Sequence, residues 1–217
     1  MPVNHEKQRF CNFTSWVVHK DYRRESIKLL LPVLNLKEYT LTSLTMSADT
    51  YFIFKKLGFS DLEDKVVIIP PLPKPSGFSK KNKISVNSPT ISRSLDETNL
   101  KIYQDHSHLN AHHILVQTEQ GQCLILATRP IKKNLPFAHI HYISDLNIFL
   151  ECIDKIRMIV CLRLKVVALI VDKRYLRKNK ISQSWEYLLP RPRMYRSKHL
   201  KKDDITTLYS ELIFLNL

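Results

Sequence analysis

Arg23, Arg24 and Lys28 fall within one short stretch, Asp21-Tyr22-Arg23-Arg24-Glu25-Ser26-Ile27-Lys28, and that grouping suits anion binding. Guanidinium and ammonium groups pair with phosphate. Where a strand gives way to a helix, the first backbone N–H groups and the positive end of the helix dipole also face outward. The same residues read equally as an ordinary strand–helix connection with a solvated basic face. Asp105, His106, His108, His112 and His113 form a second group, of metal-ligating type; on a strand His106 and His108 would share a face. No Cys or Glu completes a recognised metal spacing, so capping or surface histidines, and no metal, are the expectation. Third, Tyr175, Trp185, Tyr187 and Tyr195 lie among Lys and Arg, a mixture that can hold nucleic acid by phosphate pairing and base stacking. No nucleic-acid fold signature accompanies them, and a solvated basic surface is the favoured reading. Gly-x-Ser-x-Gly, a Walker loop and His-Glu-x-x-His are absent from the sequence, so those hydrolase and nucleotide chemistries gain no support.

Composition sets the frame for these groups. The 217 residues, 44% of them hydrophobic, suffice for one large domain or two small ones around a packed core. The formal charge of +14 is concentrated: fifteen Lys and Arg against Asp172 and Glu186 lie between Lys155 and Lys202. Such a patch favours anionic partners without saying which anion. Cys11, Cys123, Cys152 and Cys161 form no Cys-x-x-Cys pair and read as reduced thiols. With a polar start from Met1 to Arg9 and no apolar run long enough to span a bilayer, the expectation is a cytoplasmic protein without signal peptide or membrane span.

The elements that must position the basic turn follow from periodicity. Asn12 to Val18 is aromatic and β-branched and predicts a strand; Ile27, Leu30, Leu31 and Leu34 then recur at helical spacing. Pro32 inside that helix predicts a kink or a later start. Tyr39 to Met46 predicts a strand. Ser47 predicts the cap of a helix running through Tyr51, Phe52, Phe54 and Lys55 to a left-handed stop at Gly58. Phe59 to Ile69 predicts another strand, after which the Pro-rich stretch 70–77 breaks regular structure and 79–89 continues as linker or loop. A second set follows: a weak helix Leu95 to His106, a hairpin of 113–118 and 123–128 around Gly121, a strand Phe137 to Tyr142, a helix from Asp145 to Cys161 capped by Ser144, an apolar strand Val166 to Val171, and a closing strand Thr207 to Leu215. Alternating strands and helices argue for a mixed α/β (α+β) fold with parallel pairing.

Ser15-Trp16-Val17-Val18-His19-x-Asp21-Tyr22-Arg23, then Tyr39-Thr40-Leu41-Thr42-x-Leu44, then Lys56-Leu57-Gly58-Phe59 is a recognisable series. It resembles the acyl-CoA N-acyltransferase (GNAT) superfamily, in particular its bacterial acyltransferase-like members, over positions 12–59. The second half is compatible with a further GNAT-like set. In that superfamily a strand leads into a turn of pattern Gln/Arg-x-x-Gly-x-Gly/Ala whose amides hold the pyrophosphate of acetyl-CoA. This sequence keeps Arg23 but places Ser26 and Lys28 at the two glycine positions. Many members carry a Tyr four residues before the glycine of Leu-Gly-Phe that protonates the leaving thiolate; that position is Phe54, and Tyr51 lies one turn away. Roughly 20 residues precede the turn, where the family usually has several strands and helices, so the chain is either truncated or completed by its second half.

The resemblance implies a mixed central sheet flanked by helices: residues 1–75 as the acyl-CoA-binding half, 76–91 as linker, and 92–217 as a second GNAT-like half with a basic surface. It implies acetyl-CoA as cosubstrate and transfer to an amine, on an acceptor such as a small molecule or amino sugar. Val17 and Val18 would run along the cofactor arm, and Arg23, Arg24, Glu25, Ser26, Ile27 and Lys28 would hold the pyrophosphate. Acyl transfer needs a base and polarisation of the carbonyl; His19, Glu25 and Tyr51 are the nearest groups able to serve, with a surface histidine the plainer reading of His19. The rival expectation is a catalytically inactive GNAT-like protein whose basic C-terminal half binds an anionic polymer such as nucleic acid.

Overall fold

The structure is a computed structural model that describes residues 2–3, 6–14, 16–72 and 82–216. Ser15 of the expected opening strand, and residues 73–81 of the Pro-rich break and expected linker, lie outside the described residues. The chain divides into two compact units, residues 1–64 with 189–205 and residues 65–188 with 206–217.

In the first unit β1 (Pro2–Val3) and β2 (Glu6–Lys7) form a small antiparallel pair. β3 (Arg9–Phe13) is followed by a 3-10 turn, Lys20–Glu25, that runs into α1 (Ser26–Leu34). Next come β4 (Tyr39–Ser43), α2 (Ala48–Lys56) and the start of β5 (Ser60–Ile69). β3 lies parallel to β4, from Arg9 opposite Tyr39 to Phe13 opposite Ser43, and Met194–Arg196 pairs antiparallel with β4. A parallel pair joined through a helix is what the alternating pattern requires. The core is aromatic. Phe54 on α2 is 1% exposed; its ring lies 4.7 Å from that of Phe59, 5.3 Å from Phe13 and 6.0 Å from Trp16. Leu30, Leu41 and Met194 close the cluster.

Three first-unit expectations shift. The opening strand spans 9–13 rather than 12–18, because β4 leaves the sheet after Ser43 and offers no further rung. α1 begins at Ser26 and contains Pro32, ending two residues beyond it. Of its stripe only Leu30 is buried; Ile27 and Leu31 are 39% and 49% exposed.

The second unit is built on a six-stranded mixed sheet. Its strands are the end of β5, then β6 (Lys83–Val86), β7 (His112–Thr118), β8 (Gly121–Thr128), β11 (Ala138–Ile143) and β12 (Leu169–Asp172), in the order β5-β12-β11-β8-β7-β6; β9 (Ile131–Lys132) and β10 (Leu135–Pro136) form a separate small pair. Only β11 and β12 are parallel. Helices α3 (Glu97–His106), α4 (Leu146–Glu151), α5 (Ile153–Leu164) and α6 (Glu211–Phe214) flank it. Alternation along the strands assigns the two faces. Ile114, Val116, Cys123 and Ile125 pack with Phe149, Ile156 and Val160 of α4 and α5, whereas Leu115, Leu124 and Leu126 pack with Ile102 of α3, Leu208 and Ile213. β13 (Trp185–Arg196) contributes Trp185–Leu188 to this unit.

Here too the sequence expectations need correction. Lys83–Val86, read as linker, is an edge strand against β7. The helix expected over 145–161 breaks at Cys152, and its cap is Asp145 rather than Ser144. The tail expected as a strand forms helix α6, whose Leu212 and Ile213 are buried at 4% and 0%; Ile213 packs against the sheet face of Leu115, Leu124 and Leu126 instead of pairing as a strand. β13 had no counterpart in the periodicity.

Candidate functional site

The rung Phe13–Ser43 is the last between β3 and β4, and Trp16–His19 belong to no strand. The backbone N–H groups of Trp16, Val17 and Val18 have no hydrogen-bond partner among the described residues. Val17 is 84% exposed. A stretch of non-strand backbone whose N–H groups have no partner among the described residues therefore leads directly into the basic turn.

His19 caps that turn. Its carbonyl accepts the Tyr22 N–H at 3.0 Å, and its Nδ1 lies 3.5 Å from the Asp21 amide nitrogen and 3.3 Å from the Asp21 carboxylate. Ser26 turns back on the chain: its amide and its hydroxyl both donate to the Arg23 carbonyl, the hydroxyl at 2.7 Å. Glu25 pairs with Lys28 at 3.0 Å and makes no side-chain cap to α1. Arg23 and Arg24 are exposed and carry no ion pair among the described residues. The charge offered to an anion at this turn is thus carried mainly by two guanidinium groups, with Lys28 partly neutralised.

Tyr51 on α2 donates its hydroxyl to Asp61 at 3.2 Å. Lys55 pairs with the same carboxylate at 2.9 Å and lies 5.6 Å from the Tyr51 ring centre. The hydrogen bond to Asp61 raises the Lys55 ammonium above its ordinary range. His19, Glu25 and Tyr51 are therefore each engaged by a different partner, and no bond among the described residues joins one to another. Asp61 had no signal in the sequence, since its meeting with Tyr51 and Lys55 depends on the turn at Gly58 between α2 and β5.

The second unit repeats the strand–helix–strand crossover. β11 and β12 are parallel from Ala138 opposite Leu169 to Ile140 opposite Val171, and β11 is irregular against β8 between Ile140 and Tyr142. Its turn has the opposite electrostatics. The Asp145 carboxylate accepts the Ile148 N–H at 3.0 Å, and Ser144 Oγ accepts the Leu124 N–H at 2.8 Å. An acidic side chain already occupies the helix terminus where an anion would sit.

The histidines do not gather. The nitrogens of fully buried His106 lie 2.8 Å from the carbonyl oxygens of Ile102 and Leu208, while His108 is exposed in the turn after α3. His112 and His113 face opposite sides of β7, and among the described residues no cluster of three potential ligands could hold a metal. Burial pushes the His113 imidazole down to about 4. In the basic segment Arg157 is fully buried and bonded to Asp154, Ser182 and Gln183, and Glu186 bridges Lys65 and Lys173. Tyr175 bonds Arg174 and Thr207, leaving Trp185 and Tyr187, 53% and 43% exposed, as the open aromatic rings of that stretch. No helix of the described residues is long and apolar enough to cross a membrane.

No family model matches the chain, and no curated protein matches its sequence. Among solved structures it is similar to a functionally unknown conserved protein from Staphylococcus epidermidis, with 13% identity, a TM-score of 0.45 and coverage of 82% of this chain and 79% of that one. It is also similar to a GCN5-related N-acetyltransferase from Anabaena variabilis, at 12% identity and a TM-score of 0.47, covering 86% of this chain and 54% of that one. A GCN5-related N-acetyltransferase from Kribbella flavida gives 7% identity, a TM-score of 0.47 and coverage of 87% and 52%. The chain spans about half the length of these two acetyltransferases. TM-scores of 0.45 to 0.47 at such identities carry no argument about activity; the mixed α/β architecture rests on the strands and helices described above.

Proposed function

We propose that the chain is an acyl-CoA-dependent N-acyltransferase that uses acetyl-CoA and acts on an amine of a small molecule or amino sugar. One observation carries this reading: the parallel pair stops at Phe13 and Ser43, and open main-chain donors at Trp16–Val18 run straight into a turn bearing Arg23 and Arg24. Open backbone N–H groups suit the amide-rich arm of coenzyme A, and guanidinium groups pair bidentately with its pyrophosphate. Val17 and Val18 would flank the arm, with Glu25, Ser26, Ile27 and Lys28 forming the wall of the pyrophosphate seat. His19, at the end of the open run, is the candidate base for the amine, with Glu25 and Tyr51 as alternatives once freed from Lys28 and Asp61.

A second reading has its own support. The Ser26 amide is spent on Arg23, Phe54 is buried where a proton donor would stand, and Trp185 and Tyr187 are open within the basic segment. These favour a catalytically inactive acyltransferase-like protein that binds an anionic polymer such as nucleic acid.

Calorimetric and thermal-shift titration with acetyl-CoA separates the two. Binding to the folded chain stabilises it by about 2.7 kcal/mol at a hundredfold excess over Kd, and Arg23→Ala combined with Lys28→Ala removes that gain. Absence of any response at millimolar acetyl-CoA, together with salt-sensitive nucleic-acid binding, would establish the second reading instead.

A further inference from the structure

Between β8 and β11 the second unit carries a hairpin that takes no part in its large sheet. β9 and β10 form a two-stranded sheet of their own, with Leu135 opposite Lys132 and Pro136 opposite Ile131. The two residues that join them, Lys133 and Asn134, have φ of +51° and +63°. A loop of two left-handed residues is the type I′ turn, whose twist matches that of the flanking strands and holds the hairpin in one register. Asn suits such a position, whereas the left-handed region is uncommon for a residue such as Lys. Turn chemistry therefore gives no account of a lysine at this apex.

The base of the hairpin is fixed. The Phe137 N–H donates to the Pro130 carbonyl at 3.0 Å and closes the neck, and the Val167 N–H donates to the Pro136 carbonyl at 2.9 Å. Arg129 Nε and Nη2 donate to the carbonyls of Leu164 and Lys165, at 2.9 and 3.3 Å. The hairpin thus stands on the junction between α5 and β12. No acidic residue occurs in 129–137 or 162–168, which together hold Arg129, Lys132, Lys133, Arg163 and Lys165. Lys133, Arg163 and Lys165 are exposed and carry no ion pair among the described residues.

Register decides what could cover the tip. Opposite residues of an antiparallel pair share a face, and successive residues alternate. Ile131 therefore lies with Pro136 on one face, and Leu135 with Lys132 on the other. Ile131 is 68% exposed and Leu135 49%. One exposed aliphatic side chain on a protein surface needs no explanation. Aliphatic side chains open on both faces of one narrow ribbon, with a cation at its apex, are a different matter. A protein docked against one face would leave the other in water, and a second copy would bring the same acid-free cations to the contact. A fluid apolar medium surrounds both faces at once. We infer that this hairpin is a peripheral membrane anchor that dips into the surface of a bilayer rich in anionic lipid. Two strand residues project about 7 Å, which matches the depth of about 5–10 Å reached by interfacial anchors. Ile131 and Leu135 enter the acyl boundary, and the lysines keep their ammonium groups among the lipid phosphates and carboxylates. None of these residues belongs to the basic turn of the first unit, so the anchor stands independently of acyl transfer.

The test is co-sedimentation of the full chain with vesicles of phosphatidylcholine alone, and of phosphatidylcholine and phosphatidylserine in equal parts. Binding to the mixed vesicles only is expected. A chain of formal charge +14 adsorbs to any anionic surface, so the decisive variant is Ile131→Ser combined with Leu135→Ser, which keeps every charge. It should weaken binding about tenfold. Lys133→Asn, which also suits the turn, should weaken it about fivefold. Leu135→Trp gives a local readout: its emission, taken as the difference from the parent, should shift to the blue when mixed vesicles are added. Unchanged binding of the double Ser variant would reduce the effect to adsorption by net charge and overturn the inference. So would equal binding to phosphatidylcholine alone, no binding to either vesicle, or no blue shift. Poly-L-glutamate binding that depends on Ile131 and Leu135 would assign the tip to an acidic protein instead. Dimerisation in sedimentation equilibrium, lost in the double Ser variant, would assign it to a second copy.

Discussion

His139 Nε2 stands 3.3 Å from the carboxylate of Asp172, and both side chains are only 1% exposed. The pair bridges the parallel strands β11 and β12, and Arg174 Nε approaches the other Asp172 oxygen at 3.9 Å. A buried carboxylate is tolerated only with such partners, because losing one leaves a desolvated charge. His139→Ala is therefore expected to cost about 3–5 kcal/mol of unfolding free energy in urea titration. Asp172→Asn, which removes the charge but keeps the shape, should cost less. Equal stability of His139→Ala and the parent would refute the pairing.

The His113 imidazole is held down at about 4, mainly by burial and then by the charges of His106 and His112. Its unfolded counterpart titrates near 6.5. Between these values the unfolded chain binds the extra proton, so the contribution of this residue is full above pH 6.5 and is lost as pH falls toward 4. The loss is on the order of 3 kcal/mol at 1.36 kcal/mol per unit. Urea midpoints from pH 7 to pH 4 should fall in the parent, and fall less in His113→Gln. Parallel curves for the two proteins would contradict it.

Burial pushes the Cys123 and Cys161 thiols up to about 11 and raises Cys152 and Cys11 as well. The thiolate is the reactive form. At pH 8 the folded chain should react with iodoacetamide slowly, with Cys11, the half-buried member, leading the other three. Mass spectrometry after unfolding in urea should show all four modified. Rapid labelling of Cys123 in the native state would argue against this packing.

Phe54 joins the rings of Phe13, Trp16 and Phe59. Phe54→Ala should cost about 3–5 kcal/mol. Phe54→Tyr, which adds a hydroxyl inside an aromatic cluster, should cost about 1–3 kcal/mol. Thermal unfolding and an acetyl-transfer assay together decide the matter, since a gain in activity without loss of stability would show that the position opens onto a reaction site.

Where local chemistry dictates structure, the sequence was readable. Ser47 caps α2 by accepting the Thr50 N–H, Gly58 stops it at a φ of +83°, and the β7–β8 hairpin closes with Thr118 opposite Gly121. Errors arose where a segment's partner lies far along the chain. Residues 16–18 have strand composition but no rung to pair with, Lys83–Val86 lies in a polar stretch yet borders β7, and the apolar tail seats Leu208 and Ile213 against Leu115, Leu124 and Leu126. The candidate site divides the same way. Arg23 and Arg24 stood out as charge in a short run, whereas the engagement of Tyr51 by Asp61 and of Lys28 by Glu25 required coordinates.

The two strand–helix–strand crossovers share a topology and differ in what fills the helix terminus. Asp145 supplies the second unit with its own counter-ion, so that turn is already discharged, and an incoming phosphate would have to evict a covalently tethered competitor. Arg23 and Arg24 meet no such rival. Repetition of the crossover without repetition of its charge puts a carboxylate cap at one helix terminus and, beside the other, two guanidinium groups with no ion pair among the described residues.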